Sequence, residues 1–252
     1  MLLENKTAVI YGAGGAIGGA VARAFAREGA RVFATGRDVG KLEGLGEVAE
    51  IAQVDALDEK AVNEHLDAVG GVDISFNAIG PGANPQRLPL TELATDAFVR
   101  PIEFYTRSNF ITATAAARHM SSRGAGVILT LTAVPGRMPA RLIGGAAAAW
   151  GAVEAFTRAL ALELGPAGVR VVCLRAHAIP ETPLIEQNFA TAAAATGGTA
   201  AEFQAFLEQN TTLLKRLPTL AEVADTAAFL ASDGAGAMTA TVANVSAGNV
   251  ID

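Results

Sequence analysis

The chain has 252 residues, 51% of them hydrophobic, and a formal net charge of −6. That length and apolar content suit one α/β domain with a large core, and an acidic chain without any block of Lys or Arg excludes a surface that tracks nucleic-acid phosphates. Cys173 is the only cysteine, so an internal disulfide and a thiolate metal cluster are both excluded, no metal site is expected, and a cytoplasmic setting fits.

Glu4 and Lys6 lie ahead of a strand of only five residues, which is too short and wrongly flanked for a signal peptide. That strand, Thr7 to Tyr11, is apolar and rich in β-branched and aromatic residues, and it stops at the glycine cluster Gly12 to Gly15. Ile17, Val21 and Phe25 then recur every fourth residue, which predicts an amphipathic helix ended by Gly29. A strand, a glycine turn and a helix in succession bring backbone N–H groups and the positive end of a helix dipole to one place, and a pyrophosphate fits there. The same pattern also serves as a plain tight turn.

A second strand is predicted over Arg31 to Thr35, ending in Gly36-Arg37-Asp38. Where a dinucleotide crosses such a fold, a basic residue at this point suits a ribose 2′-phosphate and an acid suits a free 2′-hydroxyl. Arg37 therefore favours NADP(H) over NAD(H), against the alternative of a solvated surface charge beside Asp38. A third strand is predicted over 48–55, ending at Asp55. A polar helix follows over Glu59 to Val69, and a fourth strand runs from Asp73 to Gly80.

The segment 80–89, rich in Gly and Pro, reads as loop, and Thr91 to Ser122 as helix with a kink or break at Pro101. Val127 to Val134 reads as strand, Gly145 to Leu164 as helix, Val169 to Leu174 as strand, Ala221 to Ser232 as helix and Thr241 to Ser246 as a last strand. Alternation of this kind predicts a doubly wound Rossmann fold, a single parallel sheet with helices on both faces. Residues 190–201 read as a mobile segment within a substrate lid over 180–215, not as a second domain. The uncharged stretch 234–251 is interrupted by Gly, Thr, Asn and Ser and is not a membrane span.

The order of these motifs resembles the short-chain dehydrogenase/reductase superfamily over nearly the whole chain. Gly12, Ala16 and Gly18 stand at the family's three turn glycines, with Ala16 a departure; Asp55 matches its adenine-contacting acid, Asn77-Ala78-Ile79-Gly80 its Asn-Asn-Ala-Gly strand end, and Phe229 to Asp233 its late helix. The resemblance implies a cofactor site formed by Gly12, Gly14, Gly15, Ala16, Ile17, Gly18, Arg37, Asp55, Ala56, Asn77, Ala78, Ile79 and Ile179. It also implies a small-molecule substrate and a homotetramer or homodimer, for which the Ala-rich 145–164 helix and the 234–251 end offer small and apolar surfaces.

The resemblance further implies a reducing tetrad of Asn, Ser, Tyr and Lys, yet those four places are held here by Tyr105, Ala133, Ala146 and Trp150. Polarity is lost while volume is roughly kept, so the pocket is expected to be repacked. Asn109 lies one helical turn past the Asn place and is not assigned that role. His177 follows the sixth strand where the family has Pro-Gly; it is a candidate acid or a partly exposed loop histidine. Thr132 is a candidate for the Ser role, although strand alternation should aim it at the other face.

Three functions are compatible with this pattern. The first is an NADP(H)-dependent oxidoreductase with altered chemistry, in which Tyr105 supplies a phenol or the substrate arrives as an iminium ion that needs no acid. The second is a pseudoenzyme acting as a binding, regulatory or partner subunit. The third is a non-redox lyase or cyclase. The first is favoured because the cofactor-binding features are kept where the catalytic ones are not; ordinary ketone reduction is not expected.

Overall fold

In the computed structural model, which describes residues 1–80 and 88–251, seven parallel strands form one sheet in the order β3-β2-β1-β4-β5-β6-β7. The strands are β1 (Thr7–Tyr11), β2 (Arg31–Gly36), β3 (Glu50–Gln53), β4 (Ile74–Asn77), β5 (Gly126–Ala133), β6 (Val169–Ala176) and β7 (Val242–Val245). The helices are α1 (Ala16–Arg27), α2 (Glu59–Val69), α3 (Thr95–Arg123), α4 (Gly145–Leu164), α5 (Pro183–Thr196), α6 (Ala200–Thr211) and α7 (Leu220–Ala231).

Period-two alternation in β1 shows how the two cores arise. Ala8 and Ile10 pack with Val21 and Phe25 of α1 and Val223 and Ala227 of α7 on one face, while Val9 and Tyr11 pack with Val62 and Leu66 of α2, Ala116 of α3 and Leu160 of α4 on the other. Strand order reverses between β1 and β4: β1 pairs in parallel with β2 on one side and β4 on the other, Tyr11 standing beside Thr35 and Asn77. The reversal opens a crevice at the C-terminal ends of the strands, the place where ligands bind in open α/β sheets.

Four expectations are corrected. The third strand is short, Glu50–Gln53, and Asp55 lies beyond it in a turn where its Oδ1 accepts from Leu57 N at 3.0 Å. Helix α3 begins at Thr95 and runs unbroken through Pro101 to Arg123. Residues 190–201 are the end of α5, a turn at Gly197 with φ +75° and the start of α6. Strand β6 continues two residues beyond Leu174, so His177 begins directly after it. The loop expected over 80–89 falls largely outside the described residues.

Candidate functional site

The glycine turn is built from backbone contacts that leave no room for side chains. Gly12 has φ +78° and donates to Thr35 O at 3.0 Å, as does Ala13, while Gly15 N donates back to Gly12 O at 3.0 Å. A Cβ on Gly12 would stand 2.9 Å from Ile79, and one on Gly18 would run into Gly12 O, so the first turn of α1 can lie against the turn only because both are glycine. Gly15, the N-cap of α1, supplies no side-chain acceptor and the first helical turn, with Ala16 and Ile17, carries no acid. The N–H groups at the start of α1 are thus left to an outside acceptor with negative charge. Gly14 completes the cradle, and the residues present fit a pyrophosphate.

Two cations flank that cradle. Arg37 is exposed just past β2, its carbonyl held by Gln53 Nε2 at 3.0 Å, and its guanidinium has no ion-pair partner among the described residues. Asp38 is occupied as the cap of the next turn, accepting from Gly40 N at 3.1 Å. That turn carries Lys41 over the glycines, with its Cβ 2.9 Å from where a Gly14 Cβ would be. Lys41 was not among the residues the sequence pointed to; its signal was a second basic residue four positions after Arg37.

At the end of β4, Asn77 is buried with Nδ2 donating to Thr112 Oγ1 at 3.0 Å and Oδ1 accepting from Ile79 N at 3.1 Å. Ala78 N donates to Tyr11 O at 2.9 Å. These bonds fix the 77–79 backbone beside Gly12. Ala56 is buried below Asp55, and Ile179 is buried after β6, its carbonyl accepting from Thr182 N and Oγ1 at 3.0 and 2.9 Å.

Of the four places where the tetrad is expected, the structure brings Tyr105 of α3 and Trp150 of α4 together, with ring centroids 5.9 Å apart and planes tilted by 54°. Burial pushes the Tyr105 phenol up to about 12, and the Trp150 indole N–H beside it acts weakly in the opposite sense. Ala146, one turn before Trp150 on α4, is buried, and Ala133 ends β5. None of these side chains can release a proton near neutral pH.

Thr132 does not reach the strand ends. Its hydroxyl is buried at 1% exposure on the α4 side, 3.2 Å from Glu154 Oε1 and 3.3 Å from Cys173 Sγ, so its candidacy for the Ser role is withdrawn. His177 is half-buried; its main-chain N donates to Val245 O at 3.2 Å, while its buried Nε2 has no hydrogen-bond partner. Burial pulls its imidazole down to about 4, so this partly exposed loop histidine is neutral at pH 7. Asn109 donates to Tyr105 O at 2.9 Å and leaves its buried Oδ1 without a partner.

No group of three or more metal-ligating side chains is present among the described residues, and none of their helices is long and apolar enough to cross a membrane.

The family model described as Enoyl-(Acyl carrier protein) reductase matches residues 12–249. An uncharacterized oxidoreductase of Bacillus subtilis (strain 168) is 34% identical over 94% of this chain and 88% of its own. The cis-4-hydroxycyclohexanecarboxylate dehydrogenase of Sinomonas cyclohexanicum is 29% identical over 97% and 96%. Among solved structures, 3-ketoacyl-(acyl-carrier-protein) reductase from Brucella melitensis, complexed with NADH, superposes with a TM-score of 0.84 at 30% identity, over 99% of this chain and 100% of that one. With the glycine turn, the switch-point crevice and matches of this extent, the chain belongs to the short-chain dehydrogenase/reductase superfamily of oxidoreductases.

Proposed function

We propose that the protein is an NADP(H)-dependent oxidoreductase whose acceptor is activated before it arrives, an iminium ion being the simplest case. The observation that carries this reading is the contrast between a complete phosphate cradle at Gly12–Gly18 with Arg37 and Lys41 beside it, and a tetrad region holding Tyr105 and Trp150 in contact with no ionisable group suited to neutral pH. The pyrophosphate would lie on the glycine turn, the 2′-phosphate against Arg37 and Lys41, and the adenine near Asp55 and Ala56. When bound, the cofactor supplies a hydride.

An iminium carbon that accepts hydride becomes a neutral amine without a proton, so the absence of an acid costs such a substrate nothing, whereas a ketone would lose about 10²- to 10⁴-fold. The chain's residues then bind and orient. Trp150 and Tyr105 present aromatic surface that suits a cation, His177 offers a neutral imidazole, and the α5–α6 pair, joined by the Phe189–Phe203 ring contact at 5.7 Å, serves as a lid that excludes water. We further take the chain as one domain and assign a homotetramer or homodimer, with exposed Phe110 of α3 and Leu162 of α4 as part of the interface.

A second reading is a pseudoenzyme that holds a nucleotide without turning it over. The Tyr105–Trp150 contact supports it, because an indole in this place can exclude the nicotinamide half. The two are separated by titrating purified protein with NADPH and assaying a panel of iminium compounds. NADPH binding with iminium turnover supports the oxidoreductase, tight binding with no turnover supports the pseudoenzyme, and no binding removes the first reading.

A further inference from the structure

The Nε2 of His177 is sealed from solvent and has no hydrogen-bond partner among the described residues, an arrangement that costs stability unless something completes it. Its place follows from the β-ladder. Arg175 and Cys173, two and four residues earlier, both face α4: Arg175 Nε donates to Glu154 Oε1 at 2.9 Å, and Cys173 Sγ lies 3.3 Å from Thr132 Oγ1, which itself reaches Glu154. The main-chain bond from His177 N to Val245 O, 3.2 Å, prolongs the β6–β7 ladder by one residue. Period-two alternation therefore puts His177 on that same face, one step nearer the strand ends.

The matching step on α4 leads to Trp150. Thr130 meets Thr157 and Thr132 meets Glu154, so α4 runs opposite to the strands, and one turn from Glu154 towards the strand ends is Trp150. Ala133 pairs with Ala176, and Gly136 after it closes against the indole, a Cβ there standing 2.8 Å from Trp150 Cβ. His177 and Trp150 thus share a layer over the buried Glu154–Arg175 pair, and Tyr105 meets Trp150 from α3. One turn along from Tyr105, Asn109 is 2% exposed, its Nδ2 taken by Tyr105 O and its Oδ1 unpaired. What this region leaves open is acceptor capacity beside aromatic rings, which suits a cation that has an N–H to donate.

Resting on the reading of the site as one that takes an iminium ion, we infer that it selects an iminium whose nitrogen still carries hydrogen, with that N–H donating to His177 Nε2, over one that is fully substituted at nitrogen. The redox step balances without an acid. The iminium carbon takes up hydride, the C=N π pair becomes the nitrogen lone pair, NADPH is left as NADP+, and the N–H stays in place on a neutral amine. A site built to accept a ligand N–H rejects the analogue that lacks it, because its own acceptor is then left buried and unpaired.

The test compares 3,4-dihydroisoquinolinium with its N-methyl derivative, at a pH where the first is protonated. Calorimetric titration with NADP+ present, so that no reduction occurs, should show the N–H cation binding at least about tenfold more tightly. That ratio should fall at least about fivefold in His177→Leu and return in His177→Gln, whose amide oxygen can stand in for Nε2 as acceptor; thermal unfolding checks that both variants keep the fold. Turnover of the same pair with NADPH separates this inference from the reading beneath it. Turnover of both cations without preference, or a preference insensitive to both substitutions, overturns the role of His177 and leaves the oxidoreductase reading in place. A His177-dependent preference in binding without any turnover upholds that role and removes the redox reading, and binding of neither cation overturns both.

Discussion

Tyr105 and Trp150, 45 residues apart in sequence, meet with ring centroids 5.9 Å apart, where the superfamily resemblance puts an Asn and a Lys. A phenol that burial holds near 12 does not ionise at neutral pH, and an indole beside it cannot make it do so.

Simple ketones should therefore show no measurable reduction with NADPH. Tyr105→Phe should leave any iminium turnover within about twofold, since the phenol has no proton to give on that path. An assay of both substrate classes with both proteins checks this. Efficient ketone reduction that vanishes in Tyr105→Phe would make Tyr105 the relocated acid and refute the expectation.

NADPH should bind at least tenfold more tightly than NADH, about 1.4 kcal/mol, which one charge-assisted phosphate contact supplies. Arg37→Ala should erase the preference and Lys41→Ala should reduce it. Equal affinities in the unmutated protein would rule out the 2′-phosphate assignment, which matters because the Brucella melitensis relative is complexed with NADH.

Gly18→Ala should destabilise the fold by about 1–3 kcal/mol, the usual range for forcing a methyl into a packed site, because the new Cβ meets Gly12 O. Denaturant unfolding measures it, and NADPH affinity should fall with it because the turn must shift. A variant with unchanged stability and affinity would show that the cradle is looser than these contacts require.

How far these features were legible in the sequence varied with how local their causes are. Helices α2 and α4 were readable to the residue, since Asp58 caps the first and Gly144 and Gly165 flank the second. The helical form of 190–201 is hard to read because its alanines carry little amphipathic signal and Gly197-Gly198 resembles a breaker. The available clue was Thr199 with Glu202 three residues on, which forms a reciprocal cap at the start of α6. Lys41 reaches the cradle only through a short turn capped by Asp38, so its place beside the glycines does not show in any window of the chain.

His177 should make stability fall as the medium is acidified. Its imidazole is held near 4 in the folded chain against 6.5 in the unfolded one, so between those values the unfolded chain binds the extra proton. Stability is then complete above about pH 6.5 and is lost as pH falls towards 4, by up to about 3 kcal/mol. His177→Asn should flatten this slope in urea unfolding measured from pH 4.5 to 7. A slope unchanged by the substitution would mean that the imidazole is solvated.

Under the proposed function the chain holds NADPH with the nicotinamide half at the strand ends, and Trp150, the only tryptophan, reports on it directly. Titration with NADPH while exciting Trp150 should quench its emission saturably and sensitise that of the dihydronicotinamide. Binding by calorimetry without any change at Trp150 would contradict the placement of the nicotinamide half, and no binding at all would contradict the account as a whole.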